Sequence, residues 1–161
     1  MNSVRLRLAR EEDAEFLERV YASTRIEELA TTDWDEAQKA AFCRHQFTAQ
    51  AAHYRTHYPK AQYSVIERER DGAAVGRLYV DRWTKEIRIM DITLLPEFRG
   101  AGIGTELLRA LQEEARRVGK TLSIHVERFN PAKGLYERLG FGVKEDKGVY
   151  LLMEWVGTAE G

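Results

Sequence analysis

Apolar residues recur along the chain with two periods, and the switches between them predict an alternating order of elements. Val4, Leu6 and Leu8 alternate with Arg5 and Arg7, the period of a half-buried strand. From Asp13 onward Phe16, Leu17, Val20, Tyr21, Thr24 and Leu29 recur near helical spacing, which predicts one helix ending before Thr31-Thr32. Asp33 followed three residues later by Glu36 predicts a second helix entered through a capping box. It carries Phe47, Ala51, Tyr54 and Tyr58 and stops at Pro59. Two β-rich runs, 63–66 and 74–80, flank Asp71-Gly72, a hairpin signal, and a further strand follows over 86–94.

Beyond that strand the helical period returns. Ile103, Leu107, Leu108, Leu111, Ala115 and Val118 line one face of an amphipathic helix that stops near Gly119. Leu122, Ile124 and Val126 mark another strand. A short helix follows with Pro131 at its first position, Leu135 and Leu139 on one face and Gly140 as its left-handed cap. Segments 141–145 and 149–156 form a closing hairpin about Lys147-Gly148, and 157–161 reads as a frayed tail. The order is βααβββαβαββ, an α/β chain with no internal repeat, expected to form a single domain over residues 1–161.

The densest signal lies where the strand of 86–94 meets the amphipathic helix, at Arg99-Gly100-Ala101-Gly102-Ile103-Gly104. Three alternating glycines remove side chains that would keep an anion off the backbone. The helix that follows supplies unpaired N–H groups and the positive end of its dipole. A dinucleotide fingerprint requires glycine where Thr105 stands, and a P-loop ending at Gly119-Lys120-Thr121 requires glycine where Glu114 stands. The run that remains resembles the acyl-CoA-binding motif of the GCN5-related N-acetyltransferase (GNAT) superfamily. A second segment about 30 residues on, Asn130-Pro131-Ala132-Lys133-Gly134-Leu135-Tyr136-Glu137-Arg138-Leu139-Gly140-Phe141, resembles that family's later motif in the same order.

The resemblance implies a GNAT-type acyl-CoA N-acyltransferase fold, a mostly antiparallel mixed sheet with one splayed parallel pair, and acetyl-CoA as the acyl donor. It places the pyrophosphate on the amides of Gly100, Ala101, Gly102, Ile103, Gly104 and Thr105, with Arg99 adding charge. Backbone atoms near Ile92 and Leu94 would pair with the pantetheine arm, and Asn130 and Ala132 would flank it. Asn130 also suits a cap for the helix after it. Tyr136 would protonate the departing thiolate. A primary amine with a pKa near 10.4 lies roughly 3.4 units above pH 7, so freeing its lone pair costs about 4.6 kcal/mol and calls for a base or a water wire. Glu86, thirteen residues before Arg99, and Asp91, a carboxylate inside an apolar strand, are the candidates. His125 and Glu127 end the neighbouring strand and read as sheet-surface residues.

Composition narrows the partners. Twenty-five basic and twenty-six acidic side chains leave a formal charge of −1, so no global field points to nucleic acid or an anionic membrane. The four histidines and single cysteine, Cys43, form no spaced metal motif and no internal disulfide, so no metal is expected. Neither a signal peptide nor a membrane span is legible, which makes a cytoplasmic location the default. The partners expected are a small-molecule or peptide amine, and a homodimer is compatible with these features. In the family the first two helices wall the acceptor side, which here includes Glu27, Glu28, Asp33, Trp34 and Asp35. Amine identity stays open. The competing readings are a noncatalytic acyl-CoA-binding sensor and a regulatory module that docks a partner on the aromatic helix.

Overall fold

The computed structural model describes residues 3–157. Seven strands are ordered β1-β2-β3-β4-β5-β7-β6. They are β1 (Val4–Leu8), β2 (Gln62–Arg68), β3 (Ala74–Arg82), β4 (Glu86–Leu94), β5 (Thr121–Glu127), β6 (Gly142–Asp146) and β7 (Tyr150–Trp155). The helices are α1 (Ala14–Ser23), α2 (Ile26–Leu29), α3 (Glu36–His57), α4 (Ile103–Val118) and α5 (Lys133–Arg138). The chain divides into two compact units. One holds the chain up to Leu78 together with Thr93–Arg99, and the other holds Tyr79–Ile92 together with the chain from Gly100.

In the first unit β1 and β2 pair antiparallel with Leu6 opposite Ile66, and α1 packs on α3. Leu17, Val20, Tyr21, Leu29, Cys43, Val65, Ile66, Val75 and Leu95 are buried there. Gly76 is required by close approach: a Cβ at that position would stand 2.2 Å from the Thr93 carbonyl oxygen. Three sequence expectations are corrected here. The single helix predicted after Asp13 breaks at Thr24-Arg25, because the Ser23 and Thr24 hydroxyls donate back to the Val20 and Tyr21 carbonyls and end the ladder. The capping box of the long helix is Asp35 with Gln38, two residues later than Asp33 with Glu36. The Asp35 carboxylate accepts the Gln38 N–H at 2.8 Å, and the Gln38 side chain accepts the Asp35 N–H at 2.9 Å. The aromatic run on that helix, Phe47 to Tyr58, is half-buried and not a free apolar face; the Tyr63 hydroxyl donates to the Tyr54 and Tyr58 carbonyls.

In the second unit β5 and β7 pair antiparallel, as do β6 and β7, and α4 packs on β5. The core is Ile87, Ile89, Leu107, Leu108, Leu111, Leu122, Ile124, Val126, Phe141 and Met153. The outer strand β6 is exposed throughout, and its charged residues and an irregular register at Val143/Glu145 blunt it as an edge. The short helix starts two residues later than Pro131 predicts. The Asn130 side-chain oxygen accepts the Ala132 N–H at 2.8 Å and turns the chain before Lys133. Gly140 takes φ +96°, the left-handed conformation expected of it. Of the predicted tail 157–161, residues 158–161 lie outside the described residues.

Candidate active site

Parallel pairing of β4 and β5 runs from Glu86↔Thr121 to Ile89↔Ile124. Beyond that register β4 continues to Leu94, while β5 continues to Glu127 with its other edge on β7 as far as Glu127↔Tyr150. The pair therefore forks after Ile89 and Ile124. A strand edge released in this way offers backbone N–H and C=O groups to an extended ligand. Ile92, predicted to contact such an arm, lies on the β4 side of this fork.

The glycine loop approaches the same unit as the entrance to α4. Gly100 takes φ +78° and Gly102, the residue before the first helical turn, φ +86°; a Cβ at either would meet nothing within 4 Å. These glycines are required by backbone conformation, and the space they leave is open. No side chain caps the start of α4, so the amides of Ile103, Gly104 and Thr105 point out of the first turn. The Leu135 side chain packs 3.8 Å from where a Gly104 Cβ would stand, and the Gln112 side chain donates to the Leu139 carbonyl at 2.8 Å, which fixes α5 along α4. Asn130 stands exposed just ahead of α5, its side-chain oxygen accepting the Ala132 N–H.

Tyr136 is buried at 5% exposure, its ring 5.7 Å from that of Phe141 in an edge-on arrangement. Burial, and after it the charge of Asp91, pushes its phenol up to about 12, so the hydroxyl keeps its proton throughout the neutral range. Asp91 lies two residues past the last parallel pair, and its charge is the second cause of the raised Tyr136 phenol.

Glu86 is placed differently. It stands three residues before the fork, alternating with buried Ile87, on the opposite face of β4. The Ser123 hydroxyl donates to Glu86 Oε2, and Arg88 donates to the same oxygen from Nη2 at 2.8 Å and Nε at 3.2 Å. Burial pushes this carboxyl up, but the Ser123 and Arg88 bonds outweigh it and hold the group below the ordinary range. In the other unit Arg99, exposed, turns its Nε to the Leu94 carbonyl at 3.0 Å and closes off the end of its own strand. That bond engages one of the two lone pairs of the Leu94 carbonyl oxygen.

Sequence reasoning set aside one residue on the open face. His125 is the first β5 residue past the fork, flanked by Arg88 Nη1 at 3.3 Å from Nδ1 and Lys147 Nζ at 3.1 Å from Nε2. The signal available was alternation: with Ile124 and Val126 inward, Ser123, His125 and Glu127 share the outward face.

A forked parallel pair with a glycine-led helix entrance is the arrangement that the sequence resemblance implies, that of an acyl-CoA-dependent N-acyltransferase. The model of the acetyltransferase (GNAT) family matches residues 17–141, and the chain belongs to that family. A curated protein of Bacillus subtilis (strain 168), named "Putative ribosomal protein bS18-alanine N-acetyltransferase", is 34% identical over 113 residues, covering 63% of this chain and 72% of that protein. Among solved structures, the PaiA N-acetyltransferase of Thermoplasma acidophilum in complex with coenzyme A superposes with a TM-score of 0.72 at 18% identity, over 97% of this chain and all of that one. An acetyltransferase from Thermus thermophilus gives 0.67 at 18% identity, over 97% of this chain and 98% of that one. Among the described residues no helix is long and apolar enough to cross a membrane.

Proposed function

We propose that the protein, as a single cytoplasmic domain over residues 1–161, transfers an acetyl group from acetyl-CoA to a primary amine by direct attack in a ternary complex. The observation that carries this reading is the presence, in one compact unit, of a strand fork, an uncapped glycine-led helix entrance and a buried neutral phenol. The amides from Gly100 to Thr105 receive the pyrophosphate, the β4 edge near Ile92 receives the pantetheine amides, and the Asn130 NH2 group and the Ala132 turn flank the arm. The thioester then lies at the fork. The amine attacks its carbonyl carbon, the C–S bond breaks, and the thiolate takes a proton delivered through Tyr136.

Proton accounting limits what Tyr136 does alone. A phenol at about 12 facing a thiol near 8.5 is much the weaker acid, so complete transfer is uphill by roughly 5 kcal/mol. Tyr136 therefore hydrogen-bonds the sulfur as charge develops, and hands over its proton as the one lost by the attacking nitrogen replaces it. Of the two candidate bases, Asp91 is the better placed, past the fork and near enough to act on Tyr136 by charge, whereas Ser123 and Arg88 stabilise Glu86 as a carboxylate through its Oε2 and so weaken it as a base. The alanine in the name of the Bacillus subtilis relative supports an α-amino group as the acceptor class.

Acetyl-CoA should raise the thermal stability of the protein, by about 2.7 kcal/mol at a hundredfold excess over its dissociation constant. A panel of amines should release free CoA thiol. No thermal shift at saturating acetyl-CoA overturns the reading; a shift without thiol release from any amine turns it into the noncatalytic sensor.

A further inference from the structure

We infer that the open face of the β4–β5 fork carries a carboxylate-binding site made by Lys147 and His125, with Arg88 holding the ring. It deepens the proposed function and rests on the fork being the place where thioester and amine meet. A neutral imidazole has one accepting nitrogen and one N–H, yet both ring edges of His125 face cations that only donate, Arg88 Nη1 at 3.3 Å and Lys147 Nζ at 3.1 Å. One of these contacts is a hydrogen bond and the other sets donor against donor. Protonating the ring makes both unfavourable, and burial followed by the two cations pushes its pKa down, so protonation offers no relief.

The surroundings say which edge is the accepting one. Arg88 is fixed: it donates to Glu86 and to the Ser123 hydroxyl at 2.8 Å, its guanidinium stands 4.8 Å from the centre of the Trp83 ring, and its side chain is 14% exposed. Lys147 is exposed on the turn between β6 and β7. Nδ1 therefore accepts from Arg88, and Nε2–H and the Lys147 ammonium stand side by side as two donors that no acceptor among the described residues meets. The group that satisfies both accepts only and is negative, which describes a carboxylate oxygen. Glu86 and Glu145 lie near enough to act on the ring by charge, but Glu86 is held by Arg88 and Ser123, and among the described residues Glu145 bonds neither donor. His125 follows the last parallel pair directly, so a carboxylate here belongs to a molecule reacting at the fork.

Two reactants could bring that carboxylate, the acceptor amine or the acyl group of the donor, and matched probes separate them. With acetyl-CoA as donor, kcat/KM is measured for alanine and for alaninamide. With methylamine as acceptor, it is measured for succinyl-CoA and for acetyl-CoA. Lys147→Met and His125→Ala should lower one carboxylate-over-neutral ratio about tenfold or more, the range for losing a hydrogen bond to a charged group, and Lys147→Arg should restore most of it. A fall in the alanine ratio assigns the carboxylate to the acceptor, and a fall in the succinyl ratio assigns it to the donor. Binding is read without turnover from the His125 ring signals in long-range proton–nitrogen spectra, during titration with N-acetylalanine, N-acetylalaninamide and succinate. Ring signals that respond to either carboxylate and not to the amide keep the site even if no amine is acetylated, in which case only the proposed function falls. Ratios and ring signals that all stay put overturn the site.

Discussion

The two faces of the β4–β5 fork are built from alternate residues of the same strands, and they treat their titratable groups in opposite ways. On the covered face Ile87, Ile89, Leu122 and Ile124 are buried, α4 packs on β5, and Tyr136 is buried against Phe141 with Asp91 acting on it by charge. On the open face Glu86, Arg88, Ser123 and His125 bond or touch one another in an unbroken line that ends on Lys147. Burial acts on both faces, pushing the Tyr136 phenol and the Glu86 carboxyl up alike. What differs is partners. Among the described residues no donor bonds the Tyr136 oxygen and the phenol stays neutral, whereas Ser123 and Arg88 reverse the effect on Glu86 and keep it charged. A proton source and a fixed charge lattice thus stand back to back across one layer of backbone.

If the covered face is the proton source, Tyr136→Phe should lower kcat by roughly 10²-fold or more while leaving the KM for acetyl-CoA nearly unchanged, since Phe fills the same volume. Steady-state kinetics check this, and an unchanged kcat removes Tyr136 from the mechanism. The same burial has a signature in stability. Tyr136 keeps its proton in the folded protein to about 12, while an unfolded tyrosine loses it near 10. The folded state then binds more protons between those values, so this contribution to stability is fully present below pH 10 and is lost, by roughly 2–3 kcal/mol, as pH rises through about 12. Denaturant unfolding across that window should show the loss in the wild type, and Tyr136→Phe should lack it.

Local punctuation made part of this architecture legible from sequence. The bounds of β4 and α4 are as expected, because α4 is entered through Gly102 and left through Gly119, both with positive φ that few other residues tolerate. Local pattern was not enough at the long helix: Asp33 with Glu36 and Asp35 with Gln38 both fit a capping box, and the structure takes the second. The fork itself was expected, but the open face was not. The Glu86–Ser123 contact joins residues 37 apart, and the His125–Lys147 contact joins residues 22 apart, from β5 to the turn that leads into β7. Neither follows from periodicity, which gives the face of a side chain and not its neighbour in the sheet. Arg99 shows the same limit at short range, since its turn back to the Leu94 carbonyl is a rotamer choice.

The carboxylates offer the finer test of the comparison. Asp91→Asn removes a charge beside Tyr136, so the phenol pKa should fall in an ultraviolet tyrosinate titration, and kcat should fall about tenfold or more if Asp91 accepts the amine's proton. Glu86→Gln should do much less to kcat, well under the roughly 10²-fold floor for loss of a general base, because its carboxylate is already spoken for by Ser123 and Arg88. Its effect belongs to the acid side. Glu86 is held below its ordinary pKa of 4.5, so its contribution to stability is present above that value and drains away as pH falls through the lowered one. Acid unfolding of Glu86→Gln should therefore be shallower than that of the wild type below pH 4.5. A hundredfold loss of kcat in Glu86→Gln would instead put the base on the open face, and the division of labour between the two faces would have to be reversed.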